Sequence, residues 1–291
     1  MDPTTYRFEI GGFECLAVSD GQFAYAPPLF PPPAHLLFTD AGAGHLGELL
    51  RGAGTDLAAW TEWTSQYTCL LIRTGEQVVL IDTGAGSLGP GTGQLLGNLA
   101  TEGIRPEDVD TIILTHAHPD HLGGNTDAQG APAFSRARWV MSRAEWEFWM
   151  EGTAERVLPP HSQVLVGMAR RQLSPLLGTV DLAVGDEEIV PGVRVIPTPG
   201  HTPGHLSVGV SSGNEELLCL GDLFLHPINV QQPQWCSIFD ALPDVLAQSR
   251  ASLLAEASVD RSLLMAFHFP FPGLGRVAES GAGWRWEPAA G

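Results

Sequence analysis

Apolar residues along this chain fall into short runs, and several of these runs stop abruptly at polar residues. Residues 8–10 and 13–19 read as the first two strands, and 68–73 with 77–81 as a hairpin turning at Thr74-Gly75-Glu76. Residues 110–114 (Asp-Thr-Ile-Ile-Leu) are short, β-branched and apolar, the mark of a buried strand. Further strands are predicted over 193–196, 217–220 and 263–267. Helices are predicted over 162–177 and 242–257. Ser142-Arg143-Ala144-Glu145 has the pattern of a capping box opening another helix through Trp146, Phe148 and Trp149. Strands alternating with helices place the chain in the α/β class.

What stands at the strand ends carries the chemistry. The 110–114 strand runs into Thr115-His116-Ala117-His118-Pro119-Asp120-His121-Leu122-Gly123-Gly124. Three histidines and a carboxylate within six residues exceed what packing needs, and imidazole with carboxylate suits zinc and similar divalent ions. One short segment serves two adjacent ions more easily than it converges on one. Three more candidates follow predicted strands: His201 in Pro199-Gly200-His201-Thr202-Pro203-Gly204-His205, Asp222 after Gly221, and His268 after Phe267. Polar groups at the tips of apolar strands are where α/β architectures build their sites.

The ordered set His116-x-His118-x-Asp120-His121, then His201, Asp222 and His268, resembles the metallo-β-lactamase superfamily over nearly the whole chain. The resemblance implies an αββα four-layer sandwich with a dinuclear metal site at the sheet edge. It implies His116, His118 and His201 on one ion, Asp120, His121 and His268 on the other, and Asp222 bridging. It also implies an outer role for Asp82, in Leu80-Ile81-Asp82-Thr83-Gly84, orienting a ligand. As a residue alone, Asp82 reads equally well as part of an Asp-Thr-Gly turn. The long gap from His121 to His201, the His226 segment after Asp222, and His268-Phe269-Pro270-Phe271-Pro272-Gly273 look like the methyl parathion hydrolase branch, which is related to the acyl-homoserine lactonases. Short lactonases of that kind carry a tyrosine shortly after the bridging aspartate, where this chain has Leu223, Phe224 and Leu225.

Composition narrows the partners. The formal net charge is −18, and all 15 basic residues are arginine. Nucleic-acid enzymes need a basic track to neutralise phosphates, so nucleic acid is not an expected partner. A small neutral or apolar substrate suits this field better. No apolar run approaches the ~18–20 residues of a membrane span. The opening Met1-Asp2-Pro3-Thr4-Thr5-Tyr6 lacks a basic region followed by an apolar stretch, so a cytoplasmic location is expected. Hydrophobic content of 44% favours a folded globule, read as one domain over 1–291 with a proline-rich arm over about 22–45. Cys69 and Cys219 lie in apolar strands and read as core residues. The branch resemblance implies a homodimer.

The expected reaction is metal-dependent hydrolysis. Two divalent ions, zinc first with manganese, cobalt or iron as alternatives, would share a bridging hydroxide that attacks a lactone, an aryl ester or an organophosphate triester. Asp120 is the candidate to orient the hydroxide or return a proton. Candidate substrate contacts are Phe23, Tyr25, Phe269 and His226, with Phe30, Trp146, Trp149 and Trp235 as further wall candidates; for any single aromatic, core packing is the commoner role. His205 is expected to hydrogen-bond a ligand or the backbone, and His35, His45 and His161, which have no convergent partners, to be surface or structural residues. A β-lactam hydrolase is the alternative within enzymes. A non-hydrolytic iron-binding sensor or oxygen-binding module is the alternative outside them, and metal content together with hydrolysis separates the two classes.

Overall fold

Two seven-stranded sheets organise the computed structural model, which describes residues 3–281 and 283–289. Met1 and Asp2 of the N-terminal segment, and the side chain of His161, lie outside the described residues. The first sheet follows chain order: β1 (Thr5–Ile10), β2 (Phe13–Tyr25), β3 (Trp63–Arg73), β4 (Val78–Ile81), β5 (Thr111–Ile113), β6 (Arg138–Ser142) and β7 (Val180–Ala183). The second comprises β8 (Glu187–Val190), β9 (Val193–Pro197), β10 (Leu206–Ser212), β11 (Glu215–Cys219), β12 (Leu263–Met265), β13 (Leu274–Ser280) and β14 (Gly283–Pro288), also in sequential order.

Helices cover both outer faces. Helix α1 (Pro33–Leu37) and α2 (Ala43–Gly52) connect β2 to β3, and α3 (Leu95–Thr101) follows β4. After β5 comes α4 (Pro119–Leu122), then α5 (Arg143–Met150), α6 (Thr153–Val157) and α7 (Gln163–Leu173) between β6 and β7. Helix α8 (Pro227–Gln231) and α9 (Pro243–Asp260) lie between β11 and β12. Leu70, Ile72, Val79 and Ile113 of the first sheet meet Val195, Val208, Val210 and Leu217 of the second in the central core. A second core seats α5 and α7 on the first sheet through Phe148, Trp149 and Leu173. A third seats α9 on the second sheet through Leu246, Leu253 and Leu254. The layers are thus α, β, β, α.

Two parallel strand pairs fix where the site lies. β4 runs parallel to β5, and β11 runs parallel to β12. In each pair both C-terminal ends therefore emerge at the same edge, which sets Asp82 beside residues 116–121, and Asp222 beside His268.

Several boundaries differ from expectation. The 162–177 helix stops at Leu173 and tightens into a 3-10 turn over Ser174–Leu176, because Pro175 cannot continue the α-helical hydrogen bonding. β2 extends to Tyr25, so the start of the 22–45 stretch is strand, and α1 lies within it. Ser142 is the residue before α5 but makes no side-chain cap; Glu145 turns inward instead, so the capping-box reading fails. Cys15, Cys69, Cys219 and Cys236 are all buried free thiols. Among the described residues, no helix is long and apolar enough to cross a membrane.

Candidate metal centre

Seven side chains converge at the shared strand edge. His116, His118, His201 and Asp222 form one group able to hold a metal ion, and Asp120, His121 and His268 form a second. All seven are buried. Asp222 faces both groups. Its Oδ1 lies 2.9 Å from Nε2 of His121 and 2.9 Å from Nε2 of His268. Its Oδ2 lies 3.1 Å from Nε2 of His201 and 3.7 Å from Nε2 of His116. Asp120 Oδ2 is 3.6 Å from His268 Nε2.

The donor chemistry fits metal ions. His116 Nε2, His121 Nε2 and Asp222 Oδ1 are buried without a hydrogen-bond partner, although acceptors and donors stand close by. Such orphans are rare in native proteins, and a bound ion accounts for them. The far side of four of the five rings is anchored, and the network assigns their tautomers. His121 Nδ1 donates to Asp82 Oδ2 at 2.7 Å, and His201 Nδ1 donates to Asp240 Oδ1 at 2.7 Å. His268 Nδ1 lies 2.7 Å from Ser65 Oγ and 3.1 Å from the Gln66 carbonyl. His116 Nδ1 lies 3.1 Å from Thr115 Oγ1, whose own proton goes to Asp82 Oδ2. These four rings therefore present an Nε2 lone pair to the cluster. His118 is the exception and turns Nδ1 inward, 2.8 Å from His201 Nε2. Burial pushes the pKa values of His116 and His118 well below the usual histidine range, so both are neutral, the form that binds metal.

Asp82 holds its place in a left-handed backbone conformation, φ 59°, at the tip of β4. It also accepts from the Thr115 backbone N–H at 2.8 Å, so one carboxylate ties the start of the histidine segment to His121. Gly221 is required next to Asp222: its φ is 51°, and a Cβ there would sit 2.7 Å from His205 Nε2. That histidine accepts from the Asp222 backbone N–H at 3.0 Å, the backbone role expected for it. Burial pushes its pKa down to about 3, which keeps it a neutral acceptor.

Three groups at the site escaped the sequence reading. Asp240, in the coil before α9, has no pattern that distinguishes it from any surface aspartate. Glu145 has the spacing of a cap, but its carboxylate is fully buried and accepts from Ala117 N–H, Trp149 Nε1–H, Thr202 Oγ1–H and Gly204 N–H, so α5 ties both histidine-bearing loops together. Arg250 of α9 is fully buried and donates to the carbonyls of Leu223 and Trp235, the first of which follows Asp222 directly.

A cavity of about 210 Å³ opens over the cluster. His118, Asp120, His201, Asp222 and His268 form its polar part; Tyr25, Phe30, Trp63, Leu165, Met168, Leu225 and Phe239 are among its walls, and no arginine lines it. Tyr25 is placed as expected. Phe23, Phe269 and His226 are not brought to this wall. Phe23 packs behind Tyr25 and Phe30. Phe269 points into the α9 core and meets Trp286 edge to face. His226 caps α8 by accepting from Ile228 N–H, between the rings of Phe38 and Trp60. Trp149 is buried against Glu145, Trp146 packs against the first-sheet core, and Trp235 sits on Phe38 and His45. Phe267 stacks on the His121 ring at 3.9 Å.

Residues 63–268 match the metallo-beta-lactamase superfamily. The chain belongs to that superfamily. Within it, the chain is 32% identical over 175 residues to an N-acyl homoserine lactonase of Bacillus cereus, covering 52% of this chain and 61% of the relative. It is 34% identical over 182 residues to one from Bacillus sp, covering 56% of this chain and 60% of the relative. The chain thus spans about three fifths of the length of these curated relatives. Among solved superfamily structures, the hydrolase AbOPH superposes with TM-score 0.88 at 27% identity, over 100% of this chain and 99% of that one. The dizinc quorum-quenching lactonase AidC, solved with a product, superposes with TM-score 0.90 at 24% identity, over 100% and 99%, a likeness of fold.

Proposed function

We propose that the protein is a dinuclear metal-dependent lactonase whose substrates are N-acyl homoserine lactones. The observation that carries this reading is the pairing of seven metal-ligating side chains with an uncharged aromatic and aliphatic wall free of arginine. Such a wall fits a neutral ring and an alkyl chain, and it offers nothing to an anionic substrate. The lactonases named above are its support in sequence, and AidC makes zinc the first choice of metal. An adjoining cavity of about 490 Å³ shares His118, Leu165, His201 and Phe239 with the first and continues past Phe148, Trp149 and Leu158, giving room for an acyl chain.

His116, His118 and His201 would hold one ion, Asp120, His121 and His268 the other, and Asp222 both. Two divalent ions there would lower the pKa of bound water toward neutrality and polarise the scissile carbonyl. The chain's own groups do the rest. Asp82, Asp240, Ser65 and Thr115 hold the rings with Nε2 inward. Asp120, on the cavity wall, orders the attacking water and returns a proton to the leaving alkoxide oxygen. Leu165, Phe239 and Trp63 exclude bulk water from the reacting group.

The test is kcat/KM of the zinc- or manganese-loaded protein on a long-chain acyl-homoserine lactone beside methyl parathion. A lactone value above about 10⁴ M⁻¹s⁻¹, the low end for evolved enzymes, with weak triester turnover supports the proposal. The reverse ranking replaces it with an organophosphate hydrolase.

A further inference from the structure

β3 presents Trp63, Ser65 and Tyr67 on one face of its pleat, all three buried. Trp63 walls the cavity, Ser65 anchors His268, and Tyr67 meets Tyr25 of β2, the two hydroxyl oxygens lying 2.9 Å apart. Tyr25 is clamped on several sides. It stacks on Trp63 at 5.0 Å and meets Phe23, Phe30 and Phe239 edge to face at 4.9, 4.7 and 6.1 Å. Tyr67 is completely buried against Phe267 and His268.

A pair of phenols has two protons and only one shared hydrogen bond. Among the described residues, neither hydroxyl bonds to any third group, so one O–H remains to be donated outside the pair. Only Tyr25 lines the cavity beside Asp120 and Asp222; Tyr67 does not. The consistent arrangement has Tyr67 donating to Tyr25 and Tyr25 donating into the cavity. Both phenols are buried, and the undissociated phenol is the form that donates. Tyr25 lies before residues 63–268, which match the superfamily, and is held by the pairing of β2 with β3, where it stands opposite Trp63.

We propose that Tyr25 donates a hydrogen bond to the substrate oxygen that gains negative charge as the acyl carbon is attacked, and that Tyr67 positions its hydroxyl. The role rests on the lactonase reading. The bond stabilises an alkoxide-like oxygen, and Tyr25 keeps its proton throughout. A donor aimed at developing charge acts on the transition state more than on the ground state.

The experiment compares wild type, Tyr25→Phe and Tyr67→Phe on N-hexanoyl homoserine lactone, with metal content and the Kd for the ring-opened product measured in each. Tyr25→Phe is expected to lower kcat about 10²-fold, the loss usual for one oxyanion donor, while KM and product Kd stay within about threefold and metal content is unchanged. Tyr67→Phe is expected to lower kcat less, by roughly tenfold or under, since Tyr25 keeps its own O–H. A kcat for Tyr25→Phe within twofold of wild type, a rise in KM alone, a loss of metal, or a larger loss in Tyr67→Phe each overturns the proposal. If wild type leaves the lactone intact, it is the lactonase reading that fails; the same variants on an aryl ester the protein does cleave then decide the role of Tyr25 by the same criteria.

Discussion

A histidine that binds metal needs its second nitrogen held, and the holders differ in how visible they are. Asp82 was legible through the family resemblance, since by itself its Asp-Thr-Gly setting reads equally well as a turn. Asp240 was not, since a single carboxylate in coil has no periodicity and acquires meaning only when the chain brings it within 2.7 Å of His201. Asp240→Asn keeps an acceptor but removes the charge that strengthens His201 as a donor to metal. It is expected to weaken metal affinity about 10- to 100-fold, read by competition with a chelator, while the exposed Asp56→Asn has no effect. His226 illustrates the opposite error, a histidine that looked functional because of its place after Asp222. Burial pushes its pKa down from 6.5 to about 4. Below pH 6.5 the unfolded chain takes up a proton that the folded one refuses until about pH 4, so stability is complete above 6.5 and is lost as pH falls toward 4. His226→Asn retains an acceptor for the Ile228 N–H without titrating. Its drop in Tm between pH 7.5 and pH 5 is expected to be smaller than wild type's; an equal drop would assign the acid sensitivity elsewhere.

Strands at the site were legible as elements because candidate metal ligands punctuate them: an apolar β-branched run that stops at histidine or aspartate marks both the strand and its end. Helix α5 was legible in extent and misread in function. Ser142 and Glu145 have the spacing of a cap, and nothing local says that Glu145 faces inward. What decides it is tertiary: three donors from two distant loops, with Trp149 of α5 itself as a fourth, surround the carboxylate, and they outweigh what one cap would contribute. Burial pushes the Glu145 pKa up, and those hydrogen bonds pull it back. Glu145→Gln would turn an amide NH₂ toward two of the donors. The expected cost is about 2–4 kcal/mol in urea denaturation, from buried donors left unpaired, with weaker metal retention because residues 117 and 202–204 are released together. A variant as stable as wild type that still loses metal would show that α5 orders the loops without contributing to stability.

At the scale of the whole molecule the charge asymmetry was readable from composition, but its distribution was not. Many of the arginines are already matched: Arg7 with Glu102, Arg105 with Asp108, Arg138 with Asp181, Arg170 with Glu155, Arg194 with Asp186 and Arg285 with Glu287. Arg250 is buried among carbonyls. None of them lines the cavity over the metal centre. A charge of −18 therefore acts on an approaching ligand with no arginine on the cavity wall to draw an anion in. On the lactonase reading proposed above, a neutral lactone is indifferent to this field, whereas its ring-opened product carries a carboxylate and is repelled. The range of that repulsion shrinks from about 30 Å at 0.01 M salt to about 3 Å at 1 M. At low salt the whole surface opposes the product; at high salt only the immediate site acts, where bound divalent ions attract it. Product inhibition is accordingly expected to strengthen as salt is added, while kcat/KM for the lactone stays flat. Inhibition that weakens with salt would mean that an unmatched arginine near the entrance dominates the approach, and the acidic surface would then play no part in product release.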